Sequence, residues 1–458
     1  MRILIAGGGE VGHLIAQRLI REGNEITMVE ADRHRAQRLD GDLDARVVHG
    51  SAASIQTLEE AGLAHAEMLM ALTSVDEVNI LACLIAQVHS KVRYKVARIR
   101  THEVEAWKDV CQKAGVCIDL IIHPESEMAD RVMPVLRLPG VSDIVDYAEG
   151  RIKLFGMNIE EGSWVAGKTM EQLQKAGPPV NSLIAMVFRG PQVIIPRGGD
   201  DLKVGDHVYI ITSARELDDT LRFMGVQAQQ SVDRVFIVGG RQIGIRMAQE
   251  LERQGKSVKL FEQDAQRCEK IAALVERTVI IHGDGTDERT LEEANIQGVD
   301  AFLALTNDDE DNIIACLLAR KLGSKKVVAV VNRLNYLLMS QRLGISTTIS
   351  PHLAAVDRVL RFVRKGGVVS VTTFRQEEAE AIELVAPAGS RYVGKKLRDI
   401  KLPEGAIVGA IARPGGEAIV PRGNAVINPG DRVIFFALER LVPKLESAFL
   451  VGQQGSRR

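Results

Sequence analysis

A glycine-rich segment near the start of the chain is the first place where residue types and spacing suggest chemistry. Gly7, Gly9 and Gly12 have the spacing of a strand-to-helix turn that binds a pyrophosphate. In such a turn the first glycine makes the tight bend, the second lets backbone N–H groups approach the phosphates, and the third lets the helix pack on the strand. The spacing therefore predicts a nucleotide site.

An acidic residue follows this turn at a distance that suits ribose recognition. Glu30 comes 18 residues after Gly12 and ends the next predicted strand. Its carboxylate can accept hydrogen bonds from ribose hydroxyls and would repel a 2′-phosphate. We therefore expect NAD, ATP or ADP in preference to NADP. The alternative interpretation of Glu30 is a solvated acid at a strand end.

The same segment recurs in the second half of the chain in altered form. Gly239, Gly244 and Glu262 repeat the outer glycines and the acid, but Arg241 stands where the middle glycine is expected. A side chain therefore begins where a phosphate would come closest. The second site is either impaired or altered, since the guanidinium could swing outward and bind a phosphate itself.

An arginine ends another predicted strand of the first half. Arg98 closes the strand over residues 94–99, where a guanidinium could reach a phosphate across the carboxyl edge of the sheet. Its counterpart in the second half is the apolar Val330. The alternative for Arg98 is a surface ion pair. If Arg98 does bind phosphate, the first half has more of the residues that suit phosphate binding than the second half.

Small polar residues follow a further buried strand in each half. Thr73 and Ser74 in the first half, and Thr306 and Asn307 in the second, precede acidic helix starts. This pattern predicts helix N-caps. Because they lie at the same edge of the sheet as the glycine turn, contact with a bound nucleotide is compatible with capping.

Alternating strands and helices must position these residues. The predicted order is strand 2–6, helix 11–22 and strand 25–30, with matching segments 234–238, 243–254 and 257–262. Landmarks in the two halves recur 232 or 233 residues apart, from Gly7 and Gly239 to Leu72 and Leu305. So constant a spacing indicates a tandem duplication of a doubly wound parallel sheet.

A smaller lobe follows each α/β segment. After Pro124 and Pro351 each half gives one amphipathic helix, a glycine joint at Pro139–Gly140 or Gly366–Gly367, and then short strands and turns. We therefore predict two Rossmann-like parallel-sheet domains, each followed by a small α+β lobe. The predicted segments are 1–124, 140–225, 232–351 and 367–453.

Composition excludes several classes of protein. Lys and Arg number 58 against 60 Asp and Glu, so no overall positive field would collect nucleic acid. The 5 cysteines form no CxxC pair, which argues against a disulfide framework and favours a reducing cytoplasm. No apolar run reaches the roughly 20 residues that span a bilayer, and the first residues do not resemble a signal peptide.

Groups for catalysis are not evident beside the glycine turns. Tyr392 and Lys396 have the YxxxK spacing of short-chain dehydrogenases, but they lie in the predicted small lobe and Gly394 interrupts them. No histidine pair has metal-ligand spacing. We therefore expect no enzyme. The alternatives are an NAD-dependent oxidoreductase, with the small lobes as substrate domains, and a scaffold whose sheets have lost their ligands.

The order of segments and several sequence stretches resemble the TrkA family, the cytosolic regulatory subunits of Trk-type potassium uptake systems. The stretches are GGGEVG, ITMVEAD, LTSVDEVN and ARIR in the first half and LTNDDEDN in the second. Each half is similar to a pair of N and C lobes of an RCK (regulator of potassium conductance) unit. The resemblance implies two nucleotide sites. The first would consist of Gly7, Gly8, Gly9, Glu10, Val11, Gly12, Glu30, Thr73, Ser74 and Arg98. The second would consist of Gly239, Gly240, Arg241, Gln242, Ile243 and Glu262.

The resemblance also implies ligands and partners. NAD or NADH, ATP and ADP are the family's ligands. A homotetramer would form a ring of RCK units, docked on an integral-membrane Trk-type potassium transporter at the cytoplasmic face of the inner membrane. Nucleotide identity would then change the shape of the ring and the state of the pore.

Overall fold

The computed structural model describes residues 1–100, 104–113, 115–138, 140–226, 232–345, 347–363, 368–374 and 379–450. The chain forms two compact units, one made of Met1–Glu127 with Pro351–Val363 and the other of Met128–Ser350 with the chain after Val363. The predicted joints at Pro139 and at Gly366–Gly367, and the predicted boundary at 453, lie outside the described residues.

The first α/β segment is a parallel sheet between helices. Its elements are β1 (Arg2–Ala6), α1 (Glu10–Arg21), β2 (Glu25–Glu30), α2 (Arg33–Asp42), β3 (Arg46–His49), α3 (Ile55–Glu60), β4 (Met68–Ala71), α4 (Asp76–His89), β5 (Tyr94–Arg98), α5 (Val104–Lys113), β6 (Leu120–Ile122) and α6 (Pro124–Leu136). The strands lie in the order β3-β2-β1-β4-β5-β6. Central strands such as β4 are apolar and buried throughout, as a sheet covered on both faces requires. The strand order reverses between β1 and β4, where α/β sheets bind ligands.

The first small lobe is antiparallel. It contains β7 (Val141–Tyr147), β8 (Ile152–Asn158), α7 (Met170–Lys175), β9 (Ser182–Arg189), β10 (Gln192–Ile194), β11 (His207–Ser213) and α8 (Leu217–Phe223). The strands lie in the order β10-β9-β11-β8-β7. Antiparallel strands can be joined by short turns, which is why this part of the sequence lacks the long strand–helix alternation of the first segment.

The second half repeats both architectures. Its parallel sheet and helices comprise β12 (Arg234–Val238), α9 (Gln242–Arg253), β13 (Ser257–Glu262), α10 (Ala265–Ala272), β14 (Val279–His282), α11 (Glu288–Glu293), β15 (Ala301–Ala304), α12 (Asp309–Lys321), β16 (Val327–Val330), α13 (Leu334–Arg342), β17 (Thr347–Ile349) and α14 (Pro351–Val363). The second lobe comprises β18 (Val368–Phe374), β19 (Ala379–Val385), β20 (Ala406–Ala412), β21 (Ala418–Ile419), β22 (Arg432–Leu438) and α15 (Val442–Leu450). The sheet orders are β14-β13-β12-β15-β16-β17 and β18-β19-β22-β20-β21. The predicted fold class is confirmed.

The last helix of each α/β segment packs on the sheet of the other half. In the first unit, Val356 and Leu360 of α14 are 0% exposed and share a core with Ile15 of α1. In the second unit, Met128 and Val132 of α6 share a core with the residues of α9 and β12. The two helices are therefore exchanged between the halves.

The two small lobes share one apolar core within the second unit. The Tyr147 hydroxyl donates to Thr372 Oγ1 at 2.6 Å, and the rings of Tyr209 and Phe374 lie 4.5 Å apart. The backbone N–H of Ala148 donates to the Glu383 carboxylate at 3.2 Å. The duplicated lobes therefore bury their apolar faces against each other.

Candidate nucleotide site

The outer glycines of the first turn are required by packing alone. Gly7 follows β1 with φ +107°, and a Cβ there would lie 2.8 Å from the backbone nitrogen of Thr73. A Cβ on Gly12 would lie 2.0 Å from the carbonyl oxygen of Gly7. Only glycine avoids these overlaps, so both positions bring the turn, α1 and the end of β4 into close contact.

The middle glycine faces open space. Gly9 is the N-cap of α1 with φ −66° and ψ 179°, a conformation open to any residue, and a Cβ there would meet no atom within 4 Å. No side chain caps the helix at this end. The first-turn N–H groups of α1 are therefore available to an anion, which the helix dipole also favours.

Glu30 connects the end of β2 to the glycine turn. Its Oε2 accepts a hydrogen bond from the Gly8 N–H at 2.7 Å, and its Oε1 accepts from the Asp32 N–H at 2.8 Å. The side chain of Arg35, from α2, lies 3.6 Å from Oε2. Each carboxylate oxygen keeps lone-pair capacity for a ribose hydroxyl. Sequence reasoning missed Arg35, although an arginine soon after the strand-end acid also stands in the second half.

The remaining residues around the turn have different surroundings. Val11 is 2% exposed and lies in the apolar core, so only its backbone can face a ligand. Glu10, the first residue of α1, is exposed, and its carboxylate lies 2.9 Å from Nδ1 of His352 on α14. The helix contributed by the second half therefore contacts the residue that directly follows the glycine turn.

Thr73 is held by an asparagine that sequence reasoning missed. Asn79, on α4, is 0% exposed, and its Oδ1 accepts from the Thr73 N–H at 2.9 Å and from its hydroxyl at 2.8 Å. The prediction that Thr73 and Ser74 cap α4 is wrong, because the N-cap is Val75. Ser74 is exposed in the turn. The signal was the asparagine that recurs at the end of LTSVDEVN and LTNDDEDN.

The same asparagine fixes the end of the neighbouring strand. The Nδ2 group of Asn79 donates to the carbonyl oxygen of Arg98 at 2.8 Å. Because β1, β4 and β5 are adjacent and parallel, the glycine turn, Thr73 and Arg98 all lie at one carboxyl edge of the sheet. The predicted residues of the first site are therefore brought together.

The second site repeats this scaffold. Gly239 has φ +104°, and a Cβ on Gly244 would lie 1.9 Å from its carbonyl oxygen. Glu262 Oε2 accepts from the Gly240 N–H at 3.0 Å, and the Arg267 guanidinium lies 4.0 Å away from that oxygen. The acid, the turn and the accompanying arginine thus have the same arrangement as in the first half.

The buried asparagine also recurs. Asn312 Oδ1 accepts from the Thr306 N–H at 2.9 Å, and its Nδ2 donates to the carbonyl oxygen of Val330 at 2.9 Å. The predicted capping by Thr306 and Asn307 is wrong, because Asp308 caps α12 through its own carboxylate. The matched bonds identify Val330 as the counterpart of Arg98.

Two positions distinguish the second site. Arg241 is the exposed N-cap of α9, with φ −85° and ψ −172°. Val330 is apolar and 2% exposed. Gln242 and Ile243, which follow Arg241, are partly buried. The two halves therefore share the strand pairing around the site, but differ at the helix N-cap, Gly9 or Arg241, and at the strand end, Arg98 or Val330.

Two features bear on catalysis. Within the described residues, no group of three His, Cys, Asp or Glu side chains could hold a metal ion. Tyr392 is 5% exposed and its ring packs 6.0 Å from that of Phe449. Tyr392 therefore lies in the core of the second small lobe and not beside a glycine turn, where the chemistry suggested by the YxxxK spacing would be needed.

Two Rossmann-like sheets in tandem, each with a phosphate-type glycine turn and each followed by an antiparallel lobe, define the class of this protein. Models of known families match both kinds of segment. The TrkA-N domain matches residues 3–124 and 235–351, and the TrkA-C domain matches residues 154–225 and 381–450. The chain belongs to the TrkA family, as the sequence predicted.

Relatives match the chain along its whole length. It is 35% identical over 456 residues to the "Trk system potassium uptake protein TrkA" of Halomonas elongata, covering 99% of each chain. It is 32% identical over 454 residues to the protein of the same name from Haemophilus influenzae, covering 98% of each. The relationship therefore includes all the duplicated segments.

Solved structures share the fold. The GsuK RCK domain has 18% identity and a TM-score of 0.60, with 98% of this chain and 95% of that one covered. The GsuK channel bound to NAD also has 18% identity and a TM-score of 0.60, covering 98% of this chain and 79% of that one. GsuK bound to ADP gives 16% identity and a TM-score of 0.51, with 79% and 69% covered. No helix in the described part of this chain is long and apolar enough to cross a membrane.

Proposed function

We propose that this chain is a nucleotide-sensing regulatory subunit that gates a Trk-type membrane potassium transporter. The observation that carries the proposal is the first glycine turn, where the open Gly9 position and the uncapped start of α1 lie beside Glu30 and Thr73. Its assignment to potassium transport comes from the TrkA relatives. The four predicted segments, 1–124, 140–225, 232–351 and 367–453, remain our proposed division.

The ligands proposed for these sites are NAD or NADH, ATP and ADP. Glu30 and Glu262 suit ribose hydroxyls and disfavour a 2′-phosphate. The uncapped starts of α1 and α9 suit the phosphates. GsuK, which shares the fold, has been solved with NAD and with ADP.

Regulation would arise from differential affinity for two arrangements of the protein. A terminal phosphate bridged by Arg98, or by a basic residue of a neighbouring subunit, would stabilise one arrangement, and its absence would leave the other. The contact between Glu10 and His352 gives the turn a direct connection to α14. A nucleotide that displaces the turn would therefore act on a helix of the other half.

The proposed partners are an integral-membrane Trk-type potassium transporter and further copies of this chain, in a homotetramer bound peripherally at the cytoplasmic face of the inner membrane. Leu81, Leu84 and Val88 of α4 form an apolar stripe and are 40%, 38% and 70% exposed. Such a stripe suits burial against another copy. Nucleic acid is not an expected partner.

We propose a regulator rather than an enzyme. The alternative, an NAD-dependent oxidoreductase, needs an acid or base beside the nicotinamide, and the buried Tyr392 does not provide one. Turnover of NADH with a small substrate would favour the alternative.

The regulatory role is tested by potassium flux in vesicles that contain the partner transporter and the full chain, with NAD, NADH, ATP and ADP added in turn. Nucleotide-dependent flux is expected. Flux that stays the same with every nucleotide would contradict regulation.

The first site is tested by Glu30→Gln, with Glu262→Gln as the matched variant of the second site. Loss of a charged hydrogen-bond acceptor should weaken first-site nucleotide binding by roughly 10- to 100-fold in calorimetry. The response of the flux to nucleotide should weaken with it. Unchanged affinity in Glu30→Gln would reject the proposed site.

A further inference from the structure

We infer that Arg241 makes the second site selective for nucleotides that end in a free phosphate, such as ADP and ATP, and closes it to dinucleotides such as NAD. The inference rests on the proposed function, since it assumes that the glycine turns bind nucleotides. It assigns different ligand classes to two sites that share one scaffold.

The arginine is accommodated without any change of the fold. Gly9 and Arg241 occupy the same N-cap position, and both have extended backbone with negative φ. A Cβ on Gly9 would meet no atom within 4 Å, and the Arg241 side chain is exposed, so this position has room for a side chain. Its effect falls on whatever occupies the space in front of the helix.

A dinucleotide needs that space. Its pyrophosphate lies against the glycine turn and the N-terminus of the helix, with the two nucleosides on either side of the point where the strand order reverses. Arg241 adds a Cβ and methylene groups at the N-cap, the position that is open at Gly9 and adjoins the backbone N–H groups that would meet the diphosphate. The linking phosphates are therefore held away from the donors that bind them at Gly9.

The strand end that carries an arginine in the first site carries an apolar residue in the second. In the first half Asn79 holds the strand end that carries Arg98, whereas Asn312 holds the strand end that carries Val330. Val330 is 2% exposed and packs in the apolar core with Met128 of α6. The first site thus has its arginine at the end of β5, as Arg98, whereas the second site has its arginine at the glycine turn, as Arg241.

The part of the site around the strand-end acid is the same in both copies. Glu262 binds the Gly240 N–H, and Arg267 lies beside it, as Arg35 lies beside Glu30. An adenosine can therefore occupy the same place in both sites. The terminal phosphate of ADP offers three oxygens and a second negative charge to the Arg241 guanidinium, which binds such groups in bidentate fashion. NAD has no terminal phosphate.

The test is calorimetry of the full chain with ADP and with NAD, for the wild type, Arg241→Gly, Arg241→Ala and the reciprocal Gly9→Arg. We expect ADP to occupy two sites per chain and NAD one. Arg241→Gly should admit NAD to the second site and weaken ADP there by roughly 10- to 100-fold. Arg241→Ala should weaken ADP equally, and Gly9→Arg should abolish NAD binding while ADP still binds.

The outcomes separate this inference from the proposed function. Two NAD molecules per wild-type chain, or unchanged second-site affinity for ADP in Arg241→Gly and Arg241→Ala, would overturn the selectivity. Binding of both ligands at the first site only would also overturn it, while leaving the proposed function intact. Absence of binding at either site would contradict the proposed function itself. Unfolding curves of each variant serve as the control for folding.

Discussion

At the scale of single residues, the glycine turn combines two separate requirements. Gly7 and Gly12 are glycines because neighbouring backbone atoms leave no room for a Cβ, whether or not a ligand is bound. Gly9 is under no such constraint, since its conformation suits any residue and its surroundings are open. The three glycines of the motif therefore have two roles: Gly7 and Gly12 are needed by the fold, and Gly9 leaves space for a ligand.

Alanine substitutions should separate these requirements. Gly7→Ala places a Cβ 2.8 Å from the Thr73 nitrogen at a φ of +107°, so we expect the free energy of unfolding to fall by about 1–3 kcal/mol. Gly9→Ala should leave it unchanged or raise it by up to about 1 kcal/mol, because the native conformation is open to alanine. Urea unfolding measures both.

The effect of Gly9→Ala should appear in nucleotide affinity and not in stability. Gly9→Ala places a methyl group where the phosphates approach, so its affinity should fall although its stability does not. Equal stability losses in Gly7→Ala and Gly9→Ala would contradict the division between fold and ligand positions.

At the scale of elements, the exchanged helix α6 is fixed at its end by a buried lysine. Lys326, which directly precedes β16, is 9% exposed, and its Nζ donates to the carbonyl oxygens of Val135 at 2.6 Å, Leu138 at 2.8 Å and Val141 at 2.8 Å. The second sheet thereby holds the point where α6 leads into the first small lobe.

The burial of this lysine predicts a pH dependence of stability. Desolvation lowers the pKa of Lys326 from its ordinary 10.5 to about 7. Between these values the unfolded chain holds a proton that the folded chain has released, so this residue makes the protein more stable as pH rises from about 7 to about 10. Lys326→Met removes the titrating group.

The measurement is the melting temperature of both proteins across that range. We expect the melting temperature of the wild type to rise relative to that of Lys326→Met between pH 7 and pH 10. Other titrating groups contribute to both proteins and cancel in the difference. A difference that is constant with pH would contradict the predicted role of Lys326.

At the level of the whole molecule, the duplication gives each chain two similar candidate nucleotide sites, and the proposed oligomer would contain several such chains. The exposed stripe on α4 is the surface that we assign to contacts between copies. Val88, its most exposed member at 70%, should become buried on assembly. Val88→Glu would place a charge in that contact, and we expect the oligomer to dissociate in analytical ultracentrifugation.

A matched variant outside the stripe tests whether dissociation depends on placing the charge on α4. Ile55, the first residue of α3, is 41% exposed and lies outside the stripe. Ile55→Glu should therefore leave the sedimentation of the oligomer unchanged. Equal effects of Ile55→Glu and Val88→Glu, or no effect of Val88→Glu, would exclude α4 as the contact.

Local patterns in the sequence were enough to predict the duplication, the parallel sheets, the small α+β lobes and the position of the glycine turns, because these depend on local periodicity and on residues near one another in the chain. The sequence also indicated which half retains the middle glycine. It did not indicate the roles of Asn79 and Asn312, since each joins a strand end six residues away to a second strand end 18 or 19 residues away, and only the fold brings the two together.

The sheet that each final helix covers became evident from the folded chain alone. The apolar faces of α6 and α14 follow the same helical period, and the two sheets present similar buried faces. Either helix could therefore satisfy either sheet by pattern alone, and the sequence does not indicate which sheet each one covers. Long-range packing selects the exchange, in which α14 brings His352 to the residue after the first glycine turn and Lys326 holds the end of α6.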